Sequence, residues 1–436
     1  MGGLFLFFTK NNTGINNMKE RRVVVTGYGV VSCVGKNVPD FWDSLVNGRC
    51  GLGKVTRFDV SEYRTQIAGE IKDFDPTLYM SAKEAKRMDR FCQLAIAAAD
   101  EAVKTAGLPT DLRTAEGIDP TRCGVLVSSG IGGLGVLCEQ HKTLLERGPG
   151  KVSPMLIPMM IGDIASGNIS IRTGAGGPNM GIVTACSSGC HSIGESFWMI
   201  KRDDADMMLC GGAEDSVVPL GMSGFCSMKA MSQRNDDPLH ASRPFDLNRD
   251  GFVMSEGAGV LMLEELEHAK RRGATILAEL VGYGASGDAY HITSPAPDGS
   301  GGARAMQMAL KHANLKPEDV DYINAHGTST ELNDKFETMA IKTVLGEHAY
   351  KMSISSTKGT TGHALGAAGG LECIACIKAI ETGIVPPTIN YETPDPECDL
   401  NITPNVAVKK DIKVALNNNL GFGGHNACVI FKRFED

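Results

Sequence analysis

The chain has 436 residues, of which 42% are hydrophobic, 22% are charged and 52 are glycine. This composition is typical of a glycine-rich α/β enzyme and excludes a fibrous or disordered protein. No apolar run reaches the roughly eighteen residues of a membrane-spanning helix, and the net charge of −8, without a basic run that includes aromatic residues, argues against a nucleic-acid partner.

The N-terminal residues 1–18 are predicted to be a leader or an upstream start that lies outside the folded chain. Their apolar stretch, residues 4–8, is too short to span a membrane and makes a poor signal-peptide core. Met18 is followed at once by the strand-like run that starts near Arg22. An organelle-targeting peptide remains an open alternative for this segment.

The remaining chain is predicted to contain two related halves, residues 19–272 and 273–436. A β-branched run that ends in glycine, residues 22–29, has a counterpart at residues 275–284. Further strand-like runs alternate with helical patterns, at residues 124–129, 179–185 and 206–212 and again at 320–327, 351–359 and 414–424. Such alternation predicts parallel-rich sheets covered by helices, and the repetition predicts a duplication.

The thirteen cysteines are scattered through apolar runs and are odd in number. This pattern argues against a secreted disulfide framework and favours a reducing, intracellular setting. Cys373 and Cys376 lie in an apolar helical run with no second pair nearby, so buried packing is favoured over zinc or redox use.

Cys186 lies in the segment VTACSSGCHSIG, residues 183–194, where a strand-like run meets a helical pattern of small residues. At the first turn of a helix the pKa of a thiol is expected to fall, because the helix dipole and free N–H groups stabilise the thiolate. The small residues that follow would let a substrate approach the sulfur. From this motif alone a nucleophile and a buried, inert cysteine both stay open, and the inert cysteine is commoner.

Three further motifs carry groups suited to chemistry on a carbonyl. NAHGTST places His326 after a strand, STKGTTGH carries Lys358 and His363 on a glycine-broken turn, and GFGG places Phe422 in a turn with a free amide. Taken singly, each has an ordinary explanation: a histidine bound to a carbonyl, a surface lysine, a glycine-rich hairpin. GIGGLG, residues 130–135, formally matches a dinucleotide-binding motif, but no second strand with an acidic end follows it.

Together and in this order, TACSS, NAHGTST, SSTKGTTGH and GFGG resemble the β-ketoacyl-acyl-carrier-protein synthases, most closely the type II elongating enzymes of fatty-acid synthesis. The resemblance covers residues 18–434. It implies an α/β protein with the thiolase fold, in which two duplicated βαβαβαββ halves form a five-layered α-β-α-β-α sandwich. It also implies a cytoplasmic homodimer of bacterial type.

The activity implied by the resemblance is the decarboxylative Claisen condensation of malonyl-acyl-carrier protein with an enzyme-bound acyl thioester, which elongates a fatty acid by two carbons. No metal or nucleotide cofactor is expected, because the substrates carry 4′-phosphopantetheine on the carrier protein. Cys186 would accept the acyl chain, and its amide and that of Phe422 would form the oxyanion hole. His326 and His363 would stabilise the enolate that decarboxylation leaves.

The resemblance also implies supporting and binding residues. Lys358 would tune the histidine pair, and the carboxylates expected to hold it are Asp334 and Glu337. Contacts to the pantetheine arm are expected from Thr293, Thr328 and Thr330. The acyl pocket would be lined by Ile131, Leu134 and Phe225.

Two weaker sites are implied as well. A basic patch for the acidic carrier protein would consist of Lys83, Lys86, Arg87 and Lys151, although a solvated helix face explains these residues equally well. A structural monovalent-cation site of some relatives is matched by Glu372, Asn418 and Asn419.

Two residues beside the GFGG turn depart from the pattern: many bacterial relatives carry Phe at the position of Leu420 and Thr at that of His425. Gating and chain-length preference therefore stay open. The alternatives of the same fold are a polyketide-type ketosynthase and a noncatalytic chain-length partner, and the presence of Cys186, His326 and His363 argues against the second. A thiolase would need a second late cysteine, and Cys428 lies instead in an apolar strand-like run.

Overall fold

The computed structural model describes residues 21–436, so the predicted leader lies outside the described residues. The strands are β1 Val23–Ser32, β2 Gly53–Lys54, β3 Ile67–Ala68, β4 Cys123–Ser128, β5 Met207–Glu214, β6 Gly257–Glu265, β7 Ala278–Gly287, β8 Tyr322–Asn324, β9 Ser353–Ser355, β10 Ile384–Val385, β11 Val408–Lys409, β12 Val414–Gly421 and β13 His425–Lys432. The α-helices are α1 Val38–Val46, α2 Ala82–Ala85, α3 Arg90–Thr105, α4 Leu134–Arg147, α5 Leu156–Met160, α6 Ile164–Thr173, α7 Ser188–Lys201, α8 Pro219–Ser227, α9 Leu266–Arg271, α10 Ser300–Ala313, α11 Glu331–Leu345, α12 Lys358–Thr361 and α13 Ala368–Thr382. Within residues 21–436, none of these helices has both the length and the apolar character needed to cross a bilayer.

The main sheet repeats its topology on either side of a central join. Its strand order is β4-β5-β6-β1-β7-β13-β12-β8-β9, and the early and late strands meet where Val23 of β1 lies opposite Leu280 of β7. Moving outward from this join, each side has two antiparallel pairings followed by a parallel one. On the early side a parallel bridge from Asn179 to Val125 occupies the place that β9 has on the late side. The predicted duplication is therefore present in the sheet.

The helices form three layers around these strands. Both α7 and α13 contact strands of the early and the late part, whereas α3 and α6 pack on the early strands and α10 packs on the late ones. The apolar residues accordingly form a central cluster around Phe197 and Ile374 and two outer clusters around Leu94 and Met306. The result is the five-layered α-β-α-β-α thiolase fold that the resemblance implies.

The two central helices begin side by side, and glycine permits this contact. A Cβ on Gly369 would lie 2.3 Å from the backbone nitrogen of Cys190, and one on Gly189 would lie 2.8 Å from the carbonyl oxygen of Gly366. Because the helix starts touch, the short turns that precede them, residues 185–187 and 365–367, also come together. This places Cys186 beside the segment that follows His363.

Two details of the predicted sheet are wrong. Only Asn179 of the predicted strand 179–185 pairs with a neighbouring strand within the described chain. The prediction of parallel-rich sheets is also wrong, since in the main sheet only β4–β5, β12–β8 and β8–β9 are parallel pairs. The strands β12 and β13, for example, must pair antiparallel, because the turn that joins them at residues 422–424 is too short for a parallel crossover. The predicted packing role of Cys373 and Cys376 is confirmed, since both are fully buried in the central cluster.

Candidate active site

A cavity of about 370 Å³ lies where the turn of Cys186, the segment after β8 and the turn between β12 and β13 meet. Many of its lining residues were predicted from the sequence: Cys186, Phe225, Thr293, Thr328, Thr330, His326, His363 and Phe422. These residues are separated by up to 236 positions along the chain, as from Cys186 to Phe422 (422 − 186), and only the fold brings them together.

Cys186 lies on a strained turn directly before α7. The preceding residue, Ala185, has a φ of +51°, and its late counterpart Leu365 has a φ of +45°. The turn is held by hydrogen bonds from Ser188 Oγ to the Ala185 carbonyl, 2.7 Å, and from Ser187 Oγ to the His425 carbonyl, 2.8 Å. Cys186 therefore corresponds to Gly366 in the late part, and His363 lies three residues before that position.

The pKa of the Cys186 thiol is raised by burial to about 12. The expectation that the helix start lowers this pKa is wrong, because burial outweighs the groups that favour the thiolate. Those groups are the positive charge of Lys358 and the backbone amides of Phe422 and Cys186, which interact with the sulfur. The same two amides are the predicted oxyanion donors, and both lie close enough to the sulfur to lower its pKa.

His326 is fixed in position and protonation state by its neighbours. Its amide donates to Glu337 Oε1 at 2.7 Å, and its carbonyl accepts from Lys358 Nζ at 2.6 Å. Its ring Nδ1 lies 3.5 Å from Lys358 Nζ and 3.4 Å from Asn419 Nδ2. Because both neighbours are donors, Nδ1 is the acceptor and the ring proton lies on Nε2.

His363 lies edge-on to His326 in the same cavity. The ring centroids are 5.2 Å apart and the ring planes are inclined by 87°. The His363 backbone pairs with Val253 and Ser255, which holds the residue beside Phe252. Burial first, and then the charge of Lys358, lowers the pKa of both imidazoles well below the usual value, so both rings are neutral at pH 7.

The carboxylate that holds Lys358 is Glu372, and the prediction of Asp334 and Glu337 is wrong. Lys358 Nζ forms an ion pair with Glu372 Oε1, and Asn419 Nδ2 donates to Glu372 Oε2 at 2.7 Å. The sequence motif suggested the nearer acids on α11, but Glu372 projects from α13 towards the same point.

Asp334 and Glu337 instead support the backbone around His326. Glu337 accepts from the amides of His326 and Gly327, and Asp334 accepts from those of Phe245 and Ser329. Both carboxylates thus shape the segment that carries the histidine, although neither contacts Lys358 directly.

The predicted cation site does not form from Glu372, Asn418 and Asn419. Successive side chains of β12 point to opposite faces, so Asn419 faces Glu372 while Asn418 Nδ2 contacts Met306 Sδ at 3.3 Å on the other face. Both oxygens of Glu372 already accept from Lys358 and Asn419. Among residues 21–436, no group of three or more His, Cys, Asp or Glu side chains is placed to bind a metal.

Phe422 covers the cavity from the turn between β12 and β13. Its ring lies 6.4 Å from that of Phe225, which in turn lies edge-on to Phe252 at 5.4 Å. Ile131 and Leu134 do not line this cavity in the single chain. Ile131 is 43% exposed, and Leu134 packs near Gly221 on α8, the helix that carries Phe225.

The predicted carrier patch is exposed but does not border the cavity. Lys83, Lys86, Arg87 and Lys151 are all on the surface, and their contact with a carrier protein stays a prediction. The sequence reasoning missed several cavity residues that lie outside the four motifs, among them Met228, Lys229, Arg249, Phe252, Asn333 and Leu365. Arg249 and Phe252 both lie in the segment ASRPFDLNRDGFVMSEGAG, residues 241–259, which is outside the four motifs.

This geometry suits the chemistry of a thioester in two steps. A thiol with two amide donors can accept an acyl group through a tetrahedral oxyanion. Two neutral imidazoles that bear protons in the same cavity can stabilise the oxygen of an enolate. The two sites share one cavity, so a covalently held group and a second substrate can meet.

Comparison with known proteins agrees with this chemistry. The family described as "Beta-ketoacyl synthase, N-terminal domain" matches residues 20–269, and "Beta-ketoacyl synthase, C-terminal domain" matches residues 277–392. The Synechocystis protein "3-oxoacyl-[acyl-carrier-protein] synthase 2" is 52% identical over 419 residues, which covers 96% of this chain and 100% of that protein. The Staphylococcus aureus protein of the same name is 51% identical over 417 residues, which covers 96% and 99%.

Two solved structures extend the comparison. A β-ketoacyl synthase from Burkholderia phymatum has a TM-score of 0.88 and 35% identity, covering 95% of this chain and 100% of that one. A ketosynthase of a type II polyketide system, solved in complex with its acyl-carrier protein, has a TM-score of 0.87 and 36% identity, covering 96% and 100%. The chain therefore belongs to the β-ketoacyl synthase family.

Proposed function

We propose that this chain elongates fatty acids on acyl carrier protein by decarboxylative condensation, with Cys186, His326 and His363 as its catalytic residues. The observation that carries the proposal is the convergence of these three side chains on one cavity. No metal or nucleotide is needed in this scheme, because every charge that develops faces a group of the chain itself.

The first half-reaction is acyl transfer to the enzyme. Cys186 Sγ attacks the carbonyl carbon of the acyl-carrier thioester and forms a new S–C bond, while the oxyanion accepts from the amides of Cys186 and Phe422. The intermediate collapses by breaking the bond to the carrier thiol. That thiol leaves with the proton that Cys186 has lost.

The second half-reaction makes the carbon–carbon bond. The bond between the malonyl methylene and its carboxylate breaks, CO₂ leaves, and the electron pair forms an enolate whose oxygen accepts from the Nε2–H groups of His326 and His363. The enolate carbon attacks the acyl carbonyl, and the bond to Cys186 Sγ breaks. The 3-oxoacyl carrier is released, and the Cys186 thiolate takes a proton from water.

A fatty-acid substrate is favoured over a polyketide by the relatives. Those at 51–52% identity are named 3-oxoacyl-[acyl-carrier-protein] synthase 2, whereas the polyketide ketosynthase is 36% identical. A series of saturated acyl-carrier proteins with malonyl-carrier protein, read by product mass, tests this assignment. We expect 3-oxoacyl products two carbons longer across medium and long chains, and condensation restricted to oxygenated or very short primers would contradict it.

A second copy of this chain is proposed to cover an apolar face beside the active site. The segment that leads to Cys186 presents apolar side chains to solvent, since Val183 is 61% exposed and Met180 is 43% exposed. Ile157 and Ile161 are exposed in and directly after the neighbouring helix α5. This region lies next to Val183 at Gly162 and next to the segment of Ile131 at Met160. Paired burial of these side chains would stabilise a homodimer through the hydrophobic effect.

The dimer is tested by sedimentation velocity of the wild type and of Val183→Asp. We expect the wild type to sediment with twice the mass of the chain and V183D to shift towards the monomer, because a charge would be buried in the contact. Leu78→Asp is the matched control, since Leu78 is also apolar and is more exposed, at 78%, but lies outside this face. A monomeric wild type, or a dimer unaffected by V183D, would contradict the proposal.

A further inference from the structure

Glu214 is a buried carboxylate that the catalytic scheme above does not use. It ends β5 and is fully buried. Its Oε1 accepts from Ser129 Oγ at 2.8 Å and Ser216 Oγ at 3.2 Å. Its Oε2 accepts from two backbone amides, Gly130 at 2.8 Å and Gly366 at 3.1 Å.

The two amides belong to different parts of the chain. Gly130 follows β4 in the early part, and Gly366 lies in the late turn that follows His363. These segments touch: a Cβ on Gly366 would lie 2.2 Å from the Gly130 nitrogen and 2.8 Å from Glu214 Oε2. The same Gly130 lies against the turn of the nucleophile, since a Cβ there would be 3.0 Å from the Ala185 carbonyl oxygen. Glu214 therefore links the turn that contains Gly366 to the segment that packs against the turn of Cys186.

A carboxylate suits this position better than a neutral side chain. One oxygen accepts from two converging N–H groups, and its removal would leave both donors buried and unsatisfied. Leu365, the residue before Gly366, lines the cavity beside Cys186. A shift of this turn would consequently change the distance between the thiol and the His363 ring.

The charge of Glu214 also reaches the nucleophile. Burial raises the pKa of Glu214 to about 7, and its negative charge contributes to the raised pKa of the Cys186 thiol. Removing the charge while keeping the shape should therefore lower the thiol pKa. A lower thiol pKa would show that Glu214 acts on the active site, because a purely structural role would leave the thiol pKa unchanged.

We propose that Glu214 is a positioning residue that holds the turn of Cys186 and the turn after His363 at a set separation, and that its charge limits the reactivity of the thiol. The proposal rests on the proposed function, because Cys186 must be the reacting thiol. It extends that function by adding a residue that contacts neither substrate.

The test compares Glu214→Ala and Glu214→Gln with the wild type by steady-state condensation and by the pH profile of Cys186 alkylation with iodoacetamide, read by peptide mass. For E214A we expect kcat to fall about 10²-fold with little change in KM, because misplacement of about 1 Å has that effect. For E214Q we expect alkylation to be about threefold faster or more at pH values above the pKa of Glu214 and below that of the thiol, where Glu214 is ionised, as a half-unit drop in the thiol pKa produces.

Glu264→Gln is the matched control. Glu264 is equally buried and bound by Thr26, His268 and Arg272, but it lies away from the cavity. We expect E264Q to lower the melting temperature without moving the alkylation profile. If E214A keeps kcat within about twofold of the wild type, or if E214Q and E264Q give the same profile, the proposal is wrong. A failure of the proposed function gives a different result, because wild-type protein alkylated at Cys186 would then still catalyse condensation. If E214A is insoluble, the alkylation profile of E214Q decides whether the proposal about Glu214 holds.

Discussion

Replacement of Cys186 by alanine is expected to abolish condensation, with a loss of at least about 10³-fold, because no other cysteine among residues 21–436 lines the cavity. The variant should fold, since Cys186 is the small residue of a turn held by Ser187 and Ser188. Acyl transfer is measured separately as the mass added to the intact protein by an acyl-carrier substrate. We expect one acyl group on the wild type and none on C186A.

The control for this variant is Cys138→Ala. Cys138 is a half-buried cysteine on α4 outside the catalytic cavity, so its loss should leave acylation and turnover unchanged. Normal acylation of C186A would show that another group accepts the chain. It would remove the basis of the proposed mechanism, because Cys186 would then not be the residue that carries the acyl group.

Replacement of either histidine by alanine is expected to slow decarboxylation of malonyl-carrier protein by about 10²- to 10³-fold, the usual effect of losing one oxyanion donor. His326→Gln should recover part of this loss, because the glutamine amide can place an N–H near the position of Nε2. His141→Ala is the control, since His141 is exposed on α4 away from the catalytic cavity. CO₂ release at the wild-type rate from H326A or H363A would contradict the assignment.

The same histidines set the expected pH dependence. Because burial holds the pKa of both rings well below the usual value of about 6.5, they stay neutral as the pH falls from 8 to 6. Decarboxylation should therefore not decline over this interval through protonation of the rings. A histidine with an ordinary pKa would already be mostly protonated at pH 6, and a matching decline in rate would show that the rings are less shielded than the structure indicates.

The duplication explains how one fold supplies both half-reactions. Each part of the chain makes a strained turn and then begins a central helix, and the turn is at Ala185 in one part and at Leu365 in the other. The early turn presents a thiol, whereas the late turn has glycine at the equivalent position and its histidine three residues earlier. Because the helices cross at glycine contacts, both turns face the same cavity.

The amino-acid sequence by itself determined the family, the duplication and the candidate reacting groups of this protein, because these depend on residue types at short spacings within four motifs. The sequence also predicted some of the residues that surround these groups, since the predicted threonines and Phe225 line the cavity. Each of these motifs lies within one short segment of the chain, so it can be recognised without knowledge of the fold.

Only the tertiary structure decided which partners meet across segments. The lysine beside His326 is held by Glu372 from α13 instead of the acids on α11, and Asn418 turns away from its neighbours because a strand alternates its faces. The thiol pKa rises where the helix start suggested a fall, since burial outweighs the dipole at this depth. Each of these outcomes depends on distances between groups far apart in the chain and on the water they lose, which local spacing does not encode.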